Sequence, residues 1–121
     1  MRNYLVEFIG TFFLVLTVGL TVIWPGAGPL APLAIGCALM IGVYSGGHIS
    51  GGHYNPAVTL AVWMRGKVPT ADVAPYMGVQ LLAGLLAALL VGYDNAGQVP
   101  VKAADPVHLK AVLNELLFTF M

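Results

Sequence analysis

The chain has 121 residues, of which 59% are hydrophobic and 8% are charged, and its formal net charge is zero. Soluble globular domains carry roughly 25% charged residues, so this composition argues against an ordinary water-soluble domain. The sequence has no basic run, which argues against nucleic acid as a partner. Its single cysteine, Cys37, excludes a disulfide within the chain and a cysteine-based metal site.

Two long stretches contain no Asp, Glu, Lys or Arg: the 57 residues between Glu7 and Arg65, and the 21 residues 73–93. About 20 apolar helical residues cross a hydrocarbon core of about 30 Å, so each stretch can hold at least one membrane span. The first predicted span covers residues 4–24 and is closed by the Gly/Pro-rich turn at Pro25. A secretory signal is the alternative, but the apolar run of residues 8–23 exceeds the roughly 7–15 residues of a signal core. We therefore interpret it as a retained helix.

A second span is predicted over residues 30–46, and a glycine-rich stretch with two histidines follows it. We do not expect a regular helix to continue beyond Gly46. Residues 56–65 form a further apolar segment with proline at the first helical position. Ten helical residues rise about 15 Å, half of a bilayer. Because irregular backbone at membrane depth must line a cavity or be buried in protein, residues 47–65 are predicted to form a re-entrant loop and a half-helix.

A third span is predicted over residues 71–93. Its Gly84, Ala88 and Gly92 form a small-residue stripe suited to close helix packing, although ordinary small residues of a membrane helix explain the spacing equally well. Residues 94–106 read as a polar loop, and a fourth apolar run covers residues 107–121.

The Lys and Arg residues of the predicted loops indicate how the chain is oriented in the membrane. Arg2, Arg65 and Lys67 lie on one predicted side, whereas Lys102 and Lys110 lie on the other. The positive-inside rule then favours a cytoplasmic N-terminus.

A short pattern recurs in the chain. The Glu-x-x-x-Thr-Phe spacing that begins at Glu7 reappears at Glu115, and each copy stands at the start of an apolar run. Many channels and transporters are built from inverted repeats, and an odd number of intervening spans inverts the second copy. We therefore predict an all-α transmembrane fold with three complete spans, one re-entrant half-helix and a truncated fourth span. Residues 1–106 would be the first repeat and residues 107–121 the start of a second, which makes the sequence a fragment.

The densest cluster of informative residues is His-Ile-Ser-Gly-Gly-His-Tyr-Asn-Pro-Ala, residues 48–57. This run resembles the first Asn-Pro-Ala loop of the major intrinsic protein family, which comprises aquaporins and glycerol facilitators, and it is most similar to that of bacterial aquaporins. The resemblance covers the whole chain. It implies a passive channel for water or small neutral solutes in the plasma or inner membrane, homotetrameric when complete, with no cofactor and no catalysed reaction.

The same residues suggest how a pore would work. Pro56 at the first helical turn leaves neighbouring amides free, and the half-helix directs its positive dipole end at the bilayer midplane. Asn55 offers an amide NH₂ to a passing water, although a plain N-cap is the alternative and the two roles can coexist. Ala57 completes the tripeptide. The carbonyls of Gly51, Gly52, His53 and Tyr54 are expected to line the lumen as acceptors.

Three polar side chains are predicted to have a structural role. Glu7 and Glu115 are expensive to place near hydrocarbon, so each should have a partner. The resemblance implies that Glu7 supports the loop around His53; contact with lipid headgroups is the alternative. Gln80, inside the third span, is expected to form hydrogen bonds with the loop. His48 and His53 lack a third ligand nearby, so no metal site is expected.

One position departs from the family pattern. Water-specific members have an aromatic residue 20 positions before the first Asn, and this chain has Ile35 there. Strict water selectivity is therefore in doubt. Two other classes stay open: a membrane interaction protein that does not conduct, and an ion-coupled transporter of another inverted-repeat family. The transporter would need an acidic residue at mid-membrane, whereas Glu7 lies near a helix end.

Overall fold

The computed structural model describes residues 1–23 and 27–94, and every regular element within them is helical. Helix α1 covers Arg2–Val18 and continues as a π-helical turn, Gly19–Ile23. After a 3₁₀ turn, Gly28–Leu30, come α2 (Ala31–Ser50), α3 (Pro56–Met64) and α4 (Thr70–Asp94).

Three helical segments in the described residues are long and apolar enough to cross a membrane: Arg2–Val22, Gly28–Ser50 and Thr70–Asp94. The prediction of three apolar spans is therefore confirmed. Residues 95–121, which include the predicted fourth span and Glu115, lie outside the described residues.

The end of α2 differs from the prediction. A span ending at residue 46 was wrong, because α2 continues to Ser50 and ends where Gly51 adopts a left-handed φ of 94°. The Gly51 N–H donates to the Gly47 carbonyl at 2.8 Å, which completes a common type of helix C-cap. Glycine weakens a helix by about 1 kcal/mol relative to alanine. Here Gly46 is buried against Val6 of α1, so tertiary packing outweighs that preference.

Pairwise contacts fix the directions of the long helices. Tyr4, near the start of α1, donates to Asp72, near the start of α4, at 2.7 Å. Gly19, which follows α1, packs against Val91 near the end of α4. Helices α1 and α4 therefore run parallel, and α2 runs antiparallel to both, since its final turn packs beside the first turns of α1.

Helix α3 packs on α4 in the opposite direction. Thr59 bonds with Gln80, and Trp63 Nε1 donates to Thr70 Oγ1 at 3.0 Å. The end of α3 therefore returns to the level at which α4 begins.

Small residues bring α1 and α4 close together. Ala83 and Ala87 of α4 are fully buried, and Thr11 of α1 is 4% exposed. The predicted stripe lies largely beside this interface, because Ala88 and Gly92 are exposed and only Gly84 approaches α1. The residues buried at four-residue spacing are Ala83, Ala87 and Val91, each one position before the predicted stripe, and the alternative of ordinary small residues describes Ala88 and Gly92.

This packing gives a first prediction. Replacing Ala87 with leucine should overpack the α1–α4 interface and lower the free energy of unfolding by about 1–3 kcal/mol. Ala88→Leu, one residue further along and exposed, is the matched control and should change stability by less than about 0.5 kcal/mol. Unfolding of the purified chain in detergent measures both variants. Equal effects would contradict the assigned face of α4.

Candidate functional site

Five residues without helical structure, 51–55, connect α2 to α3. Gly51, Gly52 and Tyr54 have φ values of 94°, 65° and 50°. Glycine adopts such left-handed conformations readily, whereas a tyrosine rarely does. The loop thus has an unusual backbone path, which its surroundings must stabilise.

The Glu7 carboxylate provides that stabilisation. The residue is fully buried on α1, and both of its oxygens accept hydrogen bonds. Oε1 accepts from the Ser50 hydroxyl at 2.6 Å and from the His53 N–H at 2.9 Å. Oε2 accepts from the Tyr54 N–H at 2.7 Å and from Gln80 Nε2 at 2.8 Å. A single side chain therefore connects α1, the end of α2, the loop and α4.

Further buried bonds extend this arrangement. Gln80 Nε2 lies 3.0 Å from Thr59 Oγ1, and His53 Nδ1 lies 3.1 Å from the same hydroxyl. The Tyr76 hydroxyl donates to the Ser50 carbonyl at 2.8 Å. We call these side chains the buried polar network: Glu7, Ser50, His53, Thr59, Tyr76 and Gln80.

Half of this network was predicted from the sequence: Glu7, His53 and Gln80, which the structure brings together. Ser50, Thr59 and Tyr76 were not predicted. Thr59 is the second residue after Asn-Pro-Ala and faces α4 one turn into α3, so helical spacing could have indicated it. No comparable signal pointed to the hydroxyl of Tyr76.

Asn55 lies at the start of α3, beside the network and exposed. Its Oδ1 accepts from the Ala57 N–H at 2.7 Å, so it caps α3, and Pro56 occupies the first helical position. Within the described residues Nδ2 has no acceptor. The side chain thus caps the helix while its NH₂ stays available, and the structure contains the N-cap that was weighed as the alternative.

The loop carbonyls are also available. Within the described residues, the carbonyl oxygens of residues 51–54 accept no hydrogen bond, whereas the Asn55 carbonyl accepts from the Thr59 N–H at 3.0 Å. Free acceptors thus precede the free donor of Asn55 along the chain.

Two predicted residues lie elsewhere. Ile35 is half-buried on α2, 15 residues before Ser50, which places it roughly 22 Å away along the helix. His48 is exposed on the last turn of α2, whereas His53 is buried. Among the described residues no group of three or more His, Cys, Asp or Glu side chains could hold a metal ion.

The side chain of the loop tyrosine is buried as well. Tyr54 is 3% exposed, and its hydroxyl donates to the Gly42 carbonyl of α2 at 2.7 Å.

The chain has three apolar spans and a short capped helix, and the loop before that helix is hydrogen-bonded to a buried carboxylate. These features define a multi-pass α-helical membrane protein. The profile of the family described as Major intrinsic protein matches residues 1–121, and the chain belongs to this family.

Curated relatives agree with this assignment. The chain is 37% identical over 106 residues to Aquaporin Z of Photorhabdus laumondii, covering 82% of this chain and 46% of the relative. It is 41% identical over 92 residues to Glycerol uptake facilitator protein-like 6 of Lactiplantibacillus plantarum, covering 75% and 43%. It is 36% identical over 140 aligned positions to Probable aquaporin TIP4-1 of Oryza sativa subsp. japonica, covering 99% and 54%. The chain thus spans about half the length of these relatives.

The network gives a second prediction. Glu7→Ala should be strongly destabilising, because each buried donor left without a partner costs about 1–3 kcal/mol. Glu7→Gln should cost less, because the amide oxygen can still accept while only the NH₂ faces other donors. Thermal unfolding of the purified chain in lipid nanodiscs measures the difference.

Thr11→Val is the matched control. Thr11 lies one turn further along α1 and is also buried, but its hydroxyl has no hydrogen-bond partner in the described residues. Removing that hydroxyl should be neutral or slightly stabilising. Equal melting temperatures for Glu7→Ala and Glu7→Gln would contradict the role given to the carboxylate.

Proposed function

We propose that residues 1–121 form one half of a passive transmembrane channel for water or small neutral solutes. Family membership and relatives named as aquaporins and as a glycerol uptake facilitator support this function. The single observation that carries it is the exposed Asn55 amide at the start of α3, on a loop that the buried Glu7 carboxylate stabilises.

Helix geometry supports a re-entrant path. Gln80 lies ten residues into α4, about 15 Å from its first residue. Thr59 bonds with Gln80, so Asn55, one turn before Thr59, lies at least as deep. At the other end of α3, Trp63 is hydrogen-bonded to Thr70, the first residue of α4. In this proposal the loop enters to about the middle of the membrane and α3 leads back to the surface.

Asn55 and α3 together would act on the permeating molecule. The oxygen of a water or of a solute hydroxyl accepts from Asn55 Nδ2, while the carbonyls of residues 51–54 accept its hydrogens. The positive dipole end of α3 repels cations at the same point, a barrier established for aquaporin-type pores. A water that accepts here turns its hydrogens outward, which interrupts proton transfer along the file.

Orientation and assembly belong to the same proposal. Lys67 and Asn3 line one cavity of about 460 Å³, so the start of α1 and the cationic loop after α3 lie at the same end of the molecule. The positive-inside rule then favours a cytoplasmic position for this end. We extend the proposal to a plasma or inner membrane location and to a homotetramer of complete channels.

Residues 1–121 by themselves should not conduct. One half-helix leaves the other half of the bilayer and the opposite pore wall unbuilt. Osmotic shrinkage of proteoliposomes that contain the purified chain should match that of empty liposomes, with purified Aquaporin Z as the positive control. A clear water flux would contradict the half-channel and would indicate a pore completed between two copies.

Asn55→Asp tests the proposed site in a complete channel, in which residues 1–121 are followed by the second half of one of the relatives. The aspartate loses the NH₂ donor and adds a negative charge at the positive end of α3, so the variant should pass cations or protons while the parent stays ion-tight. Two-electrode voltage clamp of oocytes at matched surface expression measures the leak.

Asn3→Asp is the control, because it makes the same chemical change at an exposed position near the start of α1. An ion-tight Asn55→Asp channel with normal water flux would remove Asn55 from the barrier.

A further inference from the structure

The Tyr54 side chain occupies a slot that three glycines create between α1 and α2. It is 3% exposed. A Cβ built on Gly10 of α1 would overlap its ring. On α2, a Cβ on Gly42 would lie 3.1 Å from a ring carbon, and one on Gly46 would lie 2.6 Å from the hydroxyl oxygen. We call Gly10, Gly42 and Gly46 the glycine slot, because any side chain at these positions would reduce the space for the ring.

The hydroxyl fixes how deeply the ring enters. Tyr54 Oη donates to the Gly42 carbonyl at 2.7 Å. A phenol has a single O–H, and this bond uses it. The ring is therefore held along its own axis by a hydrogen bond and on both sides by helix backbone.

The backbone of Tyr54 is constrained as well. Its φ is 50°, a sparsely populated region for a residue other than glycine. Its N–H donates to Glu7 Oε2 at 2.7 Å. Backbone and ring are thus fixed by separate contacts, and the next residue in the chain is Asn55.

We propose that Tyr54 is a positioning residue that sets the direction of the Asn55 amide. This inference rests on the proposed channel function and deepens it. The Glu7 bond holds the Cα–N side of Tyr54 and the glycine slot holds its Cα–Cβ side, so at this tetrahedral carbon the direction of the Cα–C bond that leads to Asn55 is fixed as well. The bonds to Glu7 fix the position of the loop along α1 and α4. The Tyr54 ring in the glycine slot fixes the rotation of the loop relative to α1 and α2. The spacing of these two helices thereby controls where Nδ2 points.

A direct test observes Asn55 itself in residues 1–121 in lipid nanodiscs. The readouts are the NMR signals of the Asn55 side-chain amide and the hydrogen exchange of the Ala57 N–H, which Asn55 Oδ1 caps. In Tyr54→Leu both Asn55 signals should move, and Ala57 exchange should rise roughly fivefold, the effect of losing about one hydrogen bond. Tyr54→Phe keeps the ring and loses only the hydroxyl, so its changes should be smaller and in the same direction.

Tyr44 provides the matched control. It lies on α2 and is 82% exposed, so Tyr44→Leu and Tyr44→Phe remove the same atoms outside the slot. Both variants should leave the Asn55 signals unchanged. Unchanged Asn55 signals and Ala57 exchange in Tyr54→Leu would overturn the proposal, whatever happens to its melting temperature.

A compensating pair separates positioning from simple packing. Gly10→Ala should displace the ring and disturb the Asn55 signals, and the same change in a Tyr54→Leu background should add little, because the smaller side chain leaves room for the methyl group. This non-additivity is expected only if both residues act through the slot. Fully additive shifts would contradict it.

Transport then tests the functional consequence in the complete channel described above. Tyr54→Leu should raise the ratio of glycerol to water permeability, or admit ions, at matched surface expression, whereas Tyr44→Leu should not. A parent that conducts nothing would refute the proposed function while the NMR results still decide the positioning. A conducting parent whose permeability ratio and ion tightness are unchanged by Tyr54→Leu would overturn the positioning role.

Discussion

The structure depends on a carboxylate that accepts four hydrogen bonds inside an apolar protein. Glu7 lies on α1, yet its partners come from the end of α2, from the loop and from α4. A buried charge is tolerable only when it is fully partnered. Because two of the donors are backbone N–H groups of an irregular loop, the same bonds satisfy the acid and the loop. Each would be costly to bury without the other.

The glycines make this arrangement sterically possible. Gly10, Gly42 and Gly46 let α1 and α2 approach the Tyr54 ring, and the buried alanines of α4 let α1 approach from the other side. Helices in a membrane gain little from burying apolar surface, so close packing of small residues and internal hydrogen bonds must hold them together. The hydrogen-bonded polar loop and the closely packed small residues therefore stabilise the helix packing together.

Hydropathy predicted the three spans because charge-free stretches of this length leave few alternatives. The short helix after Pro56 was also predictable, from proline at its first turn and from its length. The extension of α2 to Ser50 was not, since local glycine preference opposed it and only packing against α1 explains it. Burial of the Tyr54 ring was missed for a related reason. Only the carbonyl of Tyr54 was predicted to have a role, and no spacing rule reveals a slot formed by glycines of two different helices.

The hydrogen-bond partners of Glu7 were also only partly predictable from the sequence. An acidic residue near hydrocarbon predicts a partner, and the family resemblance indicated the loop around His53. The number of bonds and the participation of Ser50 and Thr59 depend on how four helices and a loop meet, which one-dimensional patterns do not encode. More could be predicted for Asn55 than for Glu7, because both its cap and its free NH₂ follow from the chemistry of a helix start alone.

The most direct test is water contact at the loop, measured by solid-state NMR on the proposed complete channel in lipid bilayers, with only residues 1–121 labelled. Polarisation transfer from water should reach the Asn55 side-chain NH₂ quickly. The backbone N–H groups of His53 and Tyr54, which are bonded to Glu7, should stay dry and protected from exchange. Rapidly exchanging His53 and Tyr54 amides, together with an Asn55 NH₂ that water does not reach, would contradict a loop that Glu7 stabilises and that presents Asn55 to water.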